Sequence, residues 1–380
     1  YFSFDVLVNY FNPRFPSGFR VFLVGIPIFA IMQVGAATTR GFRETKYSVY
    51  VKDIAQPLSA ILLVVVSIHA LGTIDGILFS YVISLGIGSV LAVYFIYING
   101  RPLFTWNINF EARRILTFSM PLIPMAISHR LLSYTDVLML GIFTDFSSVG
   151  LYQAAYQTSL ILLLVLNSAN AIFPSVASDL FQRGEMDRLK RVYQSVTKWI
   201  FYVSGIGYIF LLVFASDIMG IFGSEFQNAG AFLAVLGAAQ LIAASVGPTG
   251  FLLVMSENER IELFNAVLLA IVNLILNYVL VVSMGVMGVA LATAVSIALL
   301  NLLRLIQVKF LLGIVPSISN PFDGVLAGLA ATAIMVLGTK VPGESLVRVI
   351  SVGGLSLFVF LLVLWWRGLS EDDKLLLEAV

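Results

Sequence analysis

Residues 261–308 read IELFNAVLLAIVNLILNYVLVVSMGVMGVALATAVSIALLNLLRLIQV, and no side chain between Glu262 and Arg304 carries a charge. A helix needs roughly 20 apolar residues to cross about 30 Å of hydrocarbon. This stretch therefore holds two crossings, at 261–282 and 286–308, joined by a short glycine-bearing turn. In lipid only a helix or a closed barrel satisfies its own backbone groups. Runs of this length dictate helices.

The same pattern fills the rest of the chain. Hydrophobic residues make up 59% of the 380 and charged residues 11%, against about half and about a quarter in a soluble domain. Further spans are expected at 19–39, 48–69, 76–98, 115–143, 147–173, 194–216, 227–254, 322–339 and 346–366. The expected fold class is all-α, a polytopic membrane protein of about 11 visible transmembrane helices.

Composition narrows the function classes. Net charge is +1, there is no cysteine, and the two histidines are His69 and His129. Bulk electrostatics give no case for nucleic acid, and neither a thiolate nor a histidine metal centre is expected. No cofactor site is expected. The acids are scattered, and no phosphate-binding glycine loop, HExxH pattern or nucleophile motif is present. The chain opens at Tyr1 without methionine or a signal-type apolar core, which predicts that N-terminal sequence is missing.

Loop charges alternate. One set of loops holds Arg40, Arg43, Lys46 and Lys52, then Arg101, Arg113 and Arg114, then Arg183, Arg188, Lys190, Arg191 and Lys198, and finally Arg260, Arg304, Lys309, Arg367 and Lys374. That is seventeen of the 22 basic residues. The opposite loops hold only Arg14, Arg20, Lys340 and Arg348. Positive loops remain cytoplasmic, so the visible chain starts outside, crosses eleven times and ends inside. The charged loop Ser178–Arg191 reads as a short amphipathic helix at the cytoplasmic interface.

An internal repeat is visible. The segment Leu71–Ser84 lies against Met284–Ser296, pairing Gly72 with Gly285, Gly76 with Gly288 and Ser84 with Ser296. Six spans separate the copies, so both keep one orientation. Two pseudo-repeated lobes follow: 1–106 as the remainder of an N-terminal lobe of about three spans, 107–312 as a C-terminal lobe of six, and 313–380 as two extra spans with a tail. Three spans are then expected before Tyr1.

Charge at membrane depth points to function. Arg130 falls at the centre of span 115–143, beyond Pro121 and Pro124, and Asp136 lies six residues on. About 120° separates the two on an ideal helix, so they are not natural partners. Arg130 then faces either a water-filled cavity with substrate or an acid on another helix, and Asp136 is a pairing or coupling acid. Gln153 and Gln157 share a face, as do Asn273 and Asn277; Asn265 lies on the latter span. Such residues join helices or line an aqueous path. Lys198 and Arg304 lie near span ends, where long side chains reach the interface.

Within Ser119–Phe181 a proline-bearing span is followed by Asp136, Leu140 and Gly141. Gly150, Tyr152 and Ala155 come next, and then a span closed by Phe173 and Pro174 before a charged loop. This order resembles the polysaccharide-transporter flippases of the multidrug, oligosaccharidyl-lipid and polysaccharide exporter superfamily. The resemblance implies a two-lobed transporter whose cavity opens alternately to each side of the plasma membrane and moves a lipid-linked oligosaccharide outward. It implies a cavity contacted by Arg130, Asp136, Gln153, Gln157, Asn265 and Lys198. It also implies a coupling ion, H+ or Na+, membrane lipids as surroundings, and a monomer. Rival readings are a cation-coupled multidrug exporter and a membrane glycosyltransferase or ligase, the latter lacking any long outer loop.

Overall fold

The computed structural model describes residues 16–41, 45–98, 134–317, 321–341 and 345–367, and every regular element among them is helical. Eight of these helices are long and apolar enough to cross a membrane, and Tyr134–Phe143 and Gly324–Gly338 are shorter apolar helices. The chain forms two compact units, 1–116 and 117–380.

The first unit contains α1 (Pro16–Gly41), a second helix α2, and α3 (Ile74–Ile98). Met32, Val51, Leu85 and Ala92 form its core. Helix α2 is composite: Thr45–Val49, a π-helical turn Tyr50–Ala55, and Gln56–Ala70. The wide turn sits just ahead of Pro57, whose ring cannot fit an ordinary helical turn and which has no N–H to donate. The Gln56 amide reaches back five residues to the Val51 carbonyl, as a π-turn requires.

The second unit begins its described part with α4 (Tyr134–Phe143). Next come α5 (Phe146–Ser159), a 3-10 turn at Leu160–Leu163, and α6 (Leu164–Gln182). Helix α7 (Met186–Val213) is followed by the short α8 (Ala215–Gly220), and then by α9 (Gly230–Ser245) and α10 (Thr249–Met255). Glu259–Leu312 forms α11, two helical limbs meeting at Gly285, where φ is 57° and ψ is −133°. That is the turn expected between 282 and 286. Gly313, with φ 67°, ends the second limb by donating to the Lys309 carbonyl at 3.1 Å. The last helices are α12 (Pro321–Gly338) and α13 (Ser345–Arg367).

Interruptions inside spans release backbone groups that lipid cannot satisfy, and side chains meet them. At the 3-10 turn, Ser204 of α7 donates to the Leu162 carbonyl at 2.8 Å. Between α9 and α10, at Gly247 (φ +66°) and Pro248, Tyr193 donates to the Val246 carbonyl at 2.6 Å. The final two helices are bolted onto the unit. Gly353 faces the Phe210 ring so closely that a Cβ would lie 2.7 Å from it, and Arg348 donates to Asp217 at 2.6 Å.

One expectation is corrected. Ser178–Arg191 is not a separate interfacial helix: α6 runs to Gln182, the chain turns at Gly184 (φ +72°), and α7 starts at Met186. Its apolar residues find protein rather than the lipid surface, because Leu180 and Leu189 are buried with Leu252, Leu253, Val308 and Ile314. Arg304 donates from Nε to Glu262 at 3.0 Å, since the two limbs of α11 run antiparallel and set the pair at one depth.

The tight seat of Gly353 makes a stability prediction. Gly353→Leu forces the Phe210 ring or α13 to move, an overpacking cost of about 1–3 kcal/mol. The expected outcome is a lower melting temperature of the detergent-solubilised protein, with Gly353→Ala intermediate. An unchanged Gly353→Leu melt would contradict this packing.

Candidate functional site

Asp136 lies on α4, and three other helical limbs bring donors to its carboxylate. Tyr152 of α5 donates from Oη to Oδ2 at 2.6 Å, and Thr293 of the second α11 limb donates from Oγ1 to the same oxygen at 2.7 Å. Asn277 of the first limb donates from Nδ2 to Oδ1 at 2.8 Å and from the same nitrogen to Asn273 Oδ1 at 3.0 Å. The Tyr152 and Thr293 hydroxyls are 3.3 Å apart.

Helix arithmetic explains the convergence. Asp136 is seven residues before Phe143, and Tyr152 is six after Phe146. Asn277 and Thr293 are each eight residues from Gly285. At 1.5 Å per residue, all four sit about 9–12 Å from helix ends joined by tight turns. The Thr144–Asp145 turn is set by an N-cap: Asp145 Oδ1 accepts from the Ser148 amide at 3.4 Å. The hydrogen bond with Ser148 holds the Asp145 carboxyl below its ordinary value.

Tyr152 is 1% exposed and Asn277 0%, while Asp136 is half-buried. An ionised carboxylate can only accept, and each of these three neighbours donates to it. Charge in a low-dielectric interior is costly unless hydrogen-bonded. Among the described residues no Lys, Arg or His pairs with Asp136. Asn277 Oδ1 is buried without a hydrogen-bond partner. One carboxylate flanked by amide and hydroxyl oxygens suits a proton or a monovalent cation. Divalent ions favour more carboxylates, and among the described residues no group of three or more His, Cys, Asp or Glu could hold a metal.

The other expected site residues fall in different places. Arg130, with Pro121 and Pro124, lies outside the described residues. Gln153 is half-buried and Gln157 exposed on α5, one and five residues beyond Tyr152. Asn265 is fully buried in a reciprocal amide pair with Gln307, at 2.6 Å and 2.8 Å. That pair, one turn from Glu262 and Arg304, fastens the two α11 limbs and leaves Asn265 no free polar atom. Lys198 is 6% exposed, its ammonium 5.7 Å from the Trp199 ring centre. Thr293 is the residue that sequence reasoning missed. A lone threonine in an apolar span carries no signal until its depth is matched to that of Asp136.

An apolar groove of about 520 Å³ runs beside the 3-10 turn, lined by Leu162, Val165, Phe210, Met335, Ile350 and Gly353 among others. It brings together the α5–α6 junction, α7 and the last two helices.

With this geometry in view, residues 1–180 match the sequence model of the family described as "Polysaccharide biosynthesis protein". Through those residues the chain is similar to the polysaccharide biosynthesis proteins. Among curated relatives, the probable low-salt glycan biosynthesis flippase Agl15 of Haloferax volcanii is 32% identical over 197 residues, 51% of this chain and 41% of that protein. The probable flippase AglR of the same organism is 28% identical over 181 residues, 45% of this chain and 37% of that protein. The matched stretch thus spans about two fifths of the length of each relative. Among solved structures, lipid II flippase MurJ in an inward closed conformation aligns with a TM-score of 0.68 at 14% identity. That alignment covers 92% of this chain and 74% of the other, and it shows the fold. The family match takes in Asp136 and Tyr152; Asn277 and Thr293 lie beyond it.

Thr293→Val keeps the shape and removes one donor to a half-buried carboxylate, a cost of about 1.5–3 kcal/mol for a hydrogen bond to a charged group. The expected result is a lower melting temperature that Thr293→Ser largely restores. Equal melting of the valine variant and the parent would show that the hydroxyl does not support the charge.

Proposed function

We propose that the chain is a flippase, a transporter rather than an enzyme, for a polyprenyl- or dolichyl-linked oligosaccharide precursor. It works by alternating access, for assembly of a cell-surface glycan. The observation that carries this reading is the carboxylate of Asp136, held at membrane depth by donors from three helical limbs, in a chain whose relatives are named as flippases. Intramembrane acids are costly to retain and are kept where an ion or proton must be handled. Asp136 is accordingly the coupling group, for H+ or a monovalent cation such as Na+.

Two further features support the reading. Gln157 and Asn167 are exposed on the α5–α6 span. Exposed amides in a span face water or a polar partner rather than hydrocarbon, so they line the path taken by saccharide. The apolar groove beside Leu162 offers the hydrocarbon of a carrier lipid a surface to lie on. Arg130, six residues before Asp136 in the same expected span, contacts the diphosphate or an acidic sugar.

The test is translocation of a polyprenyl-diphosphate-linked oligosaccharide by the whole protein in proteoliposomes, read as loss of leaflet-restricted accessibility. Arg130→Ala, Arg130→Glu and Asp136→Asn should each lower the rate by about tenfold or more, the equivalent of one hydrogen bond to a charged group. Undiminished transport in both Arg130 variants sinks the cationic contact. Undiminished transport in Asp136→Asn sinks the coupling role.

A further inference from the structure

We infer that Tyr152 is a positioning residue that latches helix α5 to the charge state of Asp136, so that the α5 rod carrying Gln153 and Gln157 moves when that charge is neutralised. The inference rests on the coupling role proposed for Asp136.

Helix α5 is a rod with two ends where it can pivot. It starts at the Asp145 cap and stops at the 3-10 turn Leu160–Leu163. Short 3-10 stretches inside longer helices often mark hinges. The chain is anchored at that turn, because Ser204 fixes the Leu162 carbonyl and the Leu162 side chain sits over Gly207. Between the pivots, the polar tie from α5 to the site is the Tyr152 hydroxyl. Its ring is buried with Leu140, Leu233 and Val289 in the core and lies parallel to Tyr156 at 6.1 Å between ring centres. A phenol has few rotatable bonds, so displacement of the hydroxyl displaces the helix that carries it.

The tie is sensitive to charge by its chemistry. A phenol donating to an ionised carboxylate at 2.6 Å is a short charge-assisted bond. A proton on Asp136, or a cation drawing its oxygens, weakens the acceptor and sets the Tyr152 donor against the Thr293 donor 3.3 Å away. Among the described residues no other charge compensates locally. Helix α5, helix α9 and the stretch 265–303 contain no Asp, Glu, Lys, Arg or His. Tyr152 and Tyr156 are the remaining titratable groups that face Asp136 among the described residues.

These 380 residues contain no cysteine, so once any cysteine elsewhere in the whole protein is replaced by serine a single introduced one is a clean reporter. The whole protein carrying Gln157→Cys is reconstituted in vesicles. Its labelling rate by a membrane-impermeant maleimide is followed on acidification and on addition of sodium ions. With Tyr152 in place the rate should change by about tenfold, the factor expected when one charge-assisted hydrogen bond is lost. Tyr152→Phe should flatten that response, and Tyr156→Phe should retain it. A purely structural role for the hydroxyl would lower the melting temperature while leaving the response intact. A Tyr152→Phe protein that responds as fully as its parent overturns the latch and leaves the coupling role of Asp136 standing. A response missing even with Tyr152, or surviving Asp136→Asn, overturns the coupling role itself.

Discussion

Hydrocarbon offers a buried polar group nothing to bond with, and the second unit is organised around that constraint. Asp136 is tolerated because Tyr152, Thr293 and Asn277 arrive at one depth with their donors turned toward it. The same rule shapes the far end of α11, where Glu262 meets Arg304 and Asn265 meets Gln307 one turn away. In both clusters polar side chains are matched across a helix boundary, so polar pairing helps to set the register between these helices. Apolar surfaces are nearly as well solvated by lipid as by one another, which leaves small residues and hydrogen bonds to specify packing.

The rule also decides where helices can break. Three interruptions, at Tyr50–Ala55, Leu160–Leu163 and Val246–Pro248, fall inside spans. At the second and third, a hydroxyl from α7 caps a released carbonyl, from Ser204 and from Tyr193. Helix α7 thus acts as a common splint for two bent neighbours. It also seats the last helix through Phe210 against Gly353. Bent helices thus lie beside a straight one within one unit.

The site and the family match overlap only in part. Residues 1–180 include Asp136 and Tyr152, while both limbs of α11 lie outside that stretch. The carboxylate and its phenol therefore fall where relatedness is read from sequence. The amide and hydroxyl partners fall where likeness to a lipid II flippase rests on the fold at 14% identity. The two kinds of likeness meet at one set of hydrogen bonds.

What the sequence determined by itself was the helical character, the places of the described spans and the presence of costly groups within them. Apolar run length and glycine or proline punctuation are local properties, and lipid converts them directly into helices. Asn273 and Asn277 were legible as a shared face for the same reason. Which polar residues meet was decided only by the tertiary structure. Sequence spacing could dissociate Arg130 from Asp136, but it could not join Asp136 to Thr293, a residue 157 positions away. Nor could it show that Asn265 is occupied by Gln307, or that Arg304 pairs with Glu262. Those outcomes depend on depth and rotation of separate helices, quantities set by packing between spans and absent from any one of them.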